Sequence, residues 1–171
     1  GQMPSSIKLS KEDLTDGLDL SRDEFKAIIQ KFNELDMDGD GSTTNEVPLA
    51  FVSGNWQGNE SDFIASFGVP ENKEHKTIVN DKVVFTIEDE NWFRAISEMN
   101  EWFREGLIRS TSFTQSQDSF LANGQDGRYG AFYWWEKETV VANPDDYIIV
   151  QPLKDDGGNR YVGVSNELEI E

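Results

Sequence analysis

The chain has 171 residues, of which 36% are hydrophobic and 12% aromatic, so it is long enough to bury the core of one domain. It carries 33 acidic against 15 basic side chains, a formal net charge of −18, and the acidic residues are spread along its whole length. This charge argues against binding to nucleic acid or to an anionic membrane surface. The sequence has no cysteine, which excludes disulfides, thiolate metal sites and thiol nucleophiles.

The first strong element in the sequence is an amphipathic helix. Residues 1–20 are polar and irregular, and we expect a poorly defined segment there, followed by a single lobe over residues 21–171. Ser21 and Glu24 have capping-box spacing, which marks a helix start. The apolar residues that follow recur on one helical face and predict a helix reaching Leu35: Phe25, Ile28, Ile29, Phe32 and Leu35.

Short strands and helices alternate in the rest of the chain. After the acidic loop, we predict a buried strand at 47–52, a short helix at 60–67 stopped by Gly68, and a hairpin at 77–86 that turns at Asn80-Asp81. A helix at 89–105 follows, and its predicted apolar face consists of Trp92, Phe93, Ile96, Met99 and Phe103. We then predict a short helix at 116–122 that ends at Asn123-Gly124, and strands at 128–135, 145–153 and 160–165. This alternation indicates an α/β domain with helices packed on a small mixed sheet.

The predicted first helix runs directly into an acidic loop. Asp36, Asp38 and Asp40 are spaced two apart and are followed by Gly41, which matches the first half of an EF-hand loop. Carboxylates this close repel one another unless a cation offsets their charge. The loop therefore predicts a calcium site, with a solvated turn that binds nothing as the alternative.

The second half of the loop departs from an EF-hand. The twelfth position, where a bidentate glutamate belongs, is Val47, and Glu46 comes one residue early. Pro48 and the apolar run after it indicate a strand, whereas an EF-hand requires a second helix. We therefore expect a structural ion that fixes the end of the helix to the start of the next strand, and not a calcium sensor.

Tryptophans follow two of the predicted strands. Trp56 lies in the polar loop "SGNWQGN" beside Asn55, and Trp134 and Trp135 follow the strand that begins near residue 128. An indole face packs well against sugar C–H groups while an amide bonds hydroxyls, so these four residues are candidate ligand contacts. Period-two alternation places one of Trp134 and Trp135 toward the core, and simple packing roles are the alternative for all three rings.

Catalytic chemistry has no support in the sequence. The single histidine, His75, lies in a charged loop where a solvated side chain is expected. Pairs such as Asp145-Asp146 are expected by chance among 33 acidic residues. We therefore predict that the chain is not an enzyme.

Five motifs follow one another from about Asp23 to Val164. They are "FKAIIQKFNELDMDGDGSTTNEVPLAF", "FIASFGVP", "KVVFT", "NWFRAISEMNEWFREGLIRSTSFTQSQDSFLANGQDGRYGAFYWW" and "PDDYIIVQPLKDDGGNRYV". In this order they resemble the extracellular solute-binding proteins of family 1, the lipoprotein type that serves carbohydrate ABC importers. The order of the motifs is what makes the resemblance specific.

The resemblance implies a single lobe of a two-lobed, periplasmic-binding-protein-like (type II) α/β fold that closes on a sugar. It implies calcium bound by Asp36, Asp38, Asp40, the carbonyl of Ser42 and Glu46, with either Thr44 or Asn45 supplying a further oxygen. The implied partners are an oligosaccharide and the permease subunits of an ABC importer, with no nucleic acid. The implied location is the surface of a Gram-positive bacterium, or a periplasm, with membrane contact only through a lipid anchor that this chain lacks.

Two rival functions remain open at this point. One is a free-standing extracellular calcium-binding domain that contacts proteins through its acidic face. The other is a glycoside-processing module, which needs two carboxylates facing one pocket.

Overall fold

A computed structural model describes residues 17–163 of the chain. Its helices and strands follow one another in the order α1 (Arg22–Phe32), β1 (Val47–Ala50), α2 (Ser61–Ala65), β2 (Lys76–Val79), β3 (Lys82–Phe85), α3 (Glu90–Arg104), α4 (Gln117–Gln125), β4 (Tyr129–Phe132) and α5 (Lys137–Val140). Short 3₁₀ turns span Thr86–Glu88, Ser110–Phe113 and Pro144–Asp146. None of the helices in this range has the length and apolar character that crossing a membrane requires.

The central sheet is parallel, and β1 lies in its middle. Val47 pairs with Tyr129 and Leu49 with Ala131, so β1 and β4 run in the same direction. On its other side, Leu49 forms a parallel bridge to Ile108. Every residue of β1 is buried, as expected for a parallel strand covered on both faces.

Two hydrophobic cores share this sheet. The larger is built around Trp102, which is fully buried, with the rings of Phe25 and Phe63 at centroid distances of 6.2 Å and 4.9 Å. The smaller contains Val47, Ala50, Val52, Phe120, Tyr129, Val140 and Val141. The mixed content of helix and sheet confirms the predicted α/β class, with the antiparallel hairpin forming a sheet of its own.

Local sequence rules account for the first helix and the hairpin. Glu24 accepts a hydrogen bond from the backbone N–H of Ser21 at 2.9 Å, and the Ser21 hydroxyl accepts one from the N–H of Glu24 at 3.2 Å, which confirms the capping box. Asn80 and Asp81 have φ values of 50° and 61°, the backbone of a type I′ turn, which confirms the hairpin. The first helix ends at Phe32, so Leu35 falls outside it and is exposed.

A buried carboxylate holds the hairpin against α3. Glu71 is fully buried and accepts hydrogen bonds from the backbone N–H of Asn72, from the Thr86 hydroxyl and from the indole N–H of Trp92. His75 is half exposed, and its Nδ1 lies 3.3 Å from the same carboxylate. The histidine is therefore only partly solvated, and its contact belongs to the packing of the hairpin.

Several predicted details are wrong. The buried face of α3 consists of Ala95, Met99 and Trp102, whereas Phe93 and Phe103 are exposed. The helix α4 continues past Gly124 to Gln125. That glycine serves a close contact instead of a helix end, since it lies against the backbone of Val140 with no room for a side chain.

The C-terminal strands and the N-terminal boundary also differ from expectation. In place of a strand at 145–153 there is a single parallel bridge between Leu18 and Val150. In place of a strand at 160–165 there is one antiparallel bridge between Lys154 and Arg160, and residues 164 and 165 lie outside the described range. Leu18 and Leu20 are buried in the larger core, so the lobe begins before residue 21, while residues 1–16 lie outside the described range.

Candidate functional site

The aspartate loop, residues 36–46, is organised by its own carboxylates. Asp36 accepts hydrogen bonds from the backbone N–H groups of Gly39 and Gly41 at 2.8 and 2.9 Å. Asp38 and Asp40 each accept one from the N–H two residues ahead, at 3.0 and 2.8 Å. These bonds fold the loop tightly and turn the three side chains toward one another.

The three aspartates form one group of oxygens. One carboxylate oxygen from each of Asp36, Asp38 and Asp40 lies within 4.8 Å of the other two. The guanidinium of Arg128 lies beside this group, with its Nε 3.9 Å from Asp38 and its NH2 3.3 Å from Asp126. One cation shared in this way leaves an excess of negative charge in the loop.

Two buried oxygens beside this group have no hydrogen-bond partner in the described part of the chain. Glu46 is fully buried, and its Oε1 accepts from the N–H of Met37 at 3.0 Å while its Oε2 is unpaired. Burial raises the pKa of this carboxyl above its ordinary value. The Oδ1 of Asn45 is also buried and unpaired. Three grouped aspartates and an unpaired carboxylate oxygen in the same loop suit a hard cation such as Ca²⁺.

Thr44 and Asn45, the two candidates for a further ligand oxygen, make different hydrogen bonds. The Asn45 amide reaches the aspartates directly, with its Nδ2 donating to Asp40 at 2.8 Å and to Asp38 at 3.2 Å. The hydroxyls of Ser42 and Thr44 instead bond to each other at 2.9 Å. Rotation of the Asn45 amide by 180° would turn Oδ1 toward the carboxylates, so Asn45 fits the role better than Thr44.

A second candidate site lies where β1 and β4 end. Because parallel strands end at the same edge of a sheet, the loops that follow them come together there. Trp56, from the loop after β1, and Trp135, from the loop after β4, meet edge to face with ring centroids 4.5 Å apart and planes at 90°. Their side chains are 53% and 71% exposed.

Trp134 has a different environment from its neighbour. Its ring stacks on Phe120 at a centroid distance of 5.0 Å, within the smaller core, and packs against Gly58. The expected alternation between the two rings is confirmed. Trp134 supports the loops, and Trp135 is the ring available to a ligand.

Amide side chains border the tryptophan pair. The Nδ2 of Asn55 donates to the backbone carbonyl of Gln57 at 3.1 Å and lies 3.4 Å from Oε1 of Gln117, the first residue of α4. Sequence reasoning did not single out Gln117. The serine that caps this helix, Ser116, marks its start in the sequence, but only the contact with Asn55 places that start beside the Trp56 loop.

Known proteins share this arrangement of a parallel sheet within one lobe. The solved structure of an ABC-transporter substrate-binding protein from Streptococcus pneumoniae, FusA in complex with kestose, matches with a TM-score of 0.75 and 27% sequence identity over 86% of this chain and 30% of that one. Two solute-binding proteins from Bifidobacterium longum infantis match in fold, one HMO-binding with a TM-score of 0.67 at 16% identity and one with 0.66 at 17%.

Sequence comparison identifies the same relative. Over 155 residues, 89% of this chain, the sequence is 28% identical to the fructooligosaccharide ABC transporter substrate-binding protein FusA of S. pneumoniae serotype 4. No protein-family model matches the sequence. The chain is therefore a homologue of FusA, which confirms the resemblance and the lobe-type fold, and it spans about 29% of the length of that curated relative.

Proposed function

We propose that the chain is the calcium-stabilised lobe of a non-catalytic, oligosaccharide-binding component of an ABC importer. The observation that carries this proposal is the exposed Trp56–Trp135 pair at the carboxyl ends of two parallel strands. The relationship to FusA supports it, because that protein is a fructooligosaccharide-binding transporter component. On this proposal the chain works outside the cell or in a periplasm and delivers sugar to permease subunits.

The geometry suits an uncharged sugar. The indole faces of Trp56 and Trp135 would pack against sugar C–H groups, and the amides of Asn55 and Gln117 would bond hydroxyls. One lobe presents only one wall of a cleft that closes around its ligand. We therefore expect this chain alone to bind sugar more weakly than a two-lobed relative, because closure buries the ligand on both sides.

Sugar titration of the full chain tests the proposal. With kestose as the probe, monitored by ligand-detected NMR and tryptophan fluorescence, we expect binding at millimolar concentrations. Trp135→Ala should weaken it about tenfold, and Phe93→Ala, which removes an exposed ring from α3, should not change it. Equal effects of the two substitutions would contradict the assignment of the site, and affinity equal to that of FusA would contradict the single-wall argument.

For the metal, we propose that Ca²⁺ is held by Asp36, Asp38, Asp40, Glu46 and Asn45, with the backbone carbonyl of Ser42. The support is the close grouping of the aspartates and the two unpaired buried oxygens. When bound, the ion would offset the mutual repulsion of the carboxylates. Since Glu46 directly precedes β1 and Asp36 follows α1, the ligands tie the end of the helix to the start of the strand.

Melting curves with calcium and with chelator test this site. At a free calcium concentration ~100 times the dissociation constant, binding to the folded form alone adds ~2.7 kcal/mol to the free energy of unfolding. Glu46→Gln and Asn45→Ala should reduce this difference, whereas Thr44→Ala and the exposed control Glu34→Gln should retain it. A wild-type melting temperature that calcium does not change would contradict the proposal.

A further inference from the structure

A third chain segment ends at the same sheet edge as β1 and β4. Ile108 bridges to Leu49 in parallel, so the chain leaves this bridge in the direction of the β1 and β4 exits. The loop that follows contains the 3₁₀ turn Ser110–Phe113. Each of the three exits thus carries an exposed aromatic ring, and Phe113 is the ring of the third exit.

The ring of Phe113 is held in place by two neighbours. It meets the buried ring of Phe51 edge to face, at a centroid distance of 5.3 Å and an angle of 86°. The ring of Phe103 lies 6.1 Å away. Phe113 nevertheless remains 42% exposed. A ring that is fixed on one side and open on the other is suited to stacking, because little side-chain entropy is lost when a ligand binds.

Two hydrogen bonds join the Phe113 loop to the Trp56 loop. The N–H of Ser53 donates to the carbonyl of Ser112 at 2.9 Å, and the side-chain amide of Gln115 donates to the carbonyl of Phe51 at 2.9 Å. The exits follow the order Ile108, β1, β4 across the sheet, and they carry Phe113, Trp56 and Trp135, respectively. We call these three rings, one at each exit, the aromatic edge.

The charges near the aromatic edge favour an uncharged ligand. Glu136 directly follows Trp135 and is exposed. Between Ile108, β1 or β4 and the first residue of the helix that follows each of them, the basic residues are Arg109 and Lys137. Lys137 donates to two backbone carbonyls at 2.7 Å each, and Arg109 donates to the carbonyl of Glu46 at 3.0 Å. An anionic glycan would meet negative charge here with its possible cationic partners already engaged.

We propose that Phe113 is an additional sugar-stacking platform, so that a neutral oligosaccharide lies across all three strand ends. This inference rests on the proposed oligosaccharide-binding function and adds a third contact residue to the Trp56–Trp135 pair. Three rings at successive strand exits give an extended ligand more stacking contacts than a short one. Affinity should therefore rise with the number of sugar rings.

The test compares a ladder of neutral sugars on the full chain: fructose, sucrose, kestose and the tetrasaccharide with one more fructose. Wild-type affinity should rise at each step as far as kestose. Phe113→Ala should weaken binding of kestose and the tetrasaccharide about fivefold and change sucrose binding less than twofold. Phe113→Leu keeps apolar bulk against Phe51 without a flat ring, so it should show the same length dependence while retaining more of the wild-type melting temperature.

The Phe113 variants test the additional platform, and the wild type tests the proposed function. If Phe113→Ala and Phe113→Leu leave the ladder unchanged, or weaken all sugars equally, the additional platform is wrong while the proposed function stands. If none of the sugars binds to the wild type, the proposed function itself fails, and this inference fails with it. Phe93→Ala, the control at an exposed phenylalanine of α3, should leave every step of the ladder unchanged.

Discussion

Two glycines in the Trp56 loop give a matched test of how the candidate sugar site is built. Gly54 and Gly58 have φ values of 69° and 60°, a backbone region that costs a residue with a side chain about 1 kcal/mol. A Cβ atom at Gly54 would meet nothing within 4 Å. A Cβ atom at Gly58 would overlap the carbonyl oxygen of Tyr133 and lie 2.5 Å from Cε3 of Trp134.

The two alanine variants should therefore differ in stability. Gly54→Ala should lower the free energy of unfolding by about 1 kcal/mol, the backbone cost alone. Gly58→Ala adds overpacking against the β4 exit, which costs about 1–3 kcal/mol more, for a total loss of about 2–4 kcal/mol. Urea unfolding followed by tryptophan fluorescence measures both values, and the dependence on urea should be the same in the two variants.

The site should respond in the same order. Because the Gly58 carbonyl accepts the N–H of Val52 at 2.9 Å, a displaced Gly58 also displaces the loop that carries Trp56. Gly58→Ala should therefore weaken sugar binding, and Gly54→Ala should not. If the two variants lose equal stability, the close approach between the loops after β1 and β4 is not as described, and the reasoning behind the Trp56–Trp135 pair fails.

Two further predictions concern the fold. Hydrogen bonds from Lys154 and Arg160 lower the pKa of Asp19 below its ordinary value of 3.8. The ionised Asp19 carboxylate therefore stabilises the fold fully above pH 3.8, and this contribution is lost as the pH falls below 3.8. In an acid titration below this pH, Asp19→Asn should lose less stability than the wild type. Trp102→Ala, in the centre of the core, should cost about 3–5 kcal/mol in chemical unfolding, whereas Trp135→Ala should cost less than about 1 kcal/mol because its ring is largely exposed.

Elements with strong local rules could be predicted from the sequence. The capping box at Ser21 and the Asn80-Asp81 turn depend on a few neighbouring residues, and both form as expected. The aspartate spacing likewise predicted that three carboxylates would come together. In each case the chemistry that decides the conformation lies within about ten residues of sequence.

Features decided by tertiary contacts were less accessible. The helix α3 has apolar residues on two adjacent stripes, and packing against Phe25 and Phe63 selects the one that contains Trp102. Gly124 was expected to end a helix, but it provides close contact with Val140, and a sequence does not separate these two uses of glycine. Nor could the sequence reveal that Gln117 would lie beside the Trp56 loop, since their separation along the chain is large.

The positions of the two candidate sites on one strand lead to a final prediction. Glu46 directly precedes β1 and the Trp56 loop follows it, so the proposed metal and sugar sites lie at opposite ends of a strand about 13 Å long. Because the strand is buried and paired on both sides, we expect it to keep its position when calcium leaves. Chelating calcium should then lower the melting temperature while changing the kestose affinity of the folded chain less than twofold, measured well below the melting transition. A larger change in affinity would show that the two sites are coupled, and it would mean that β1 moves when the aspartate loop loses its ion.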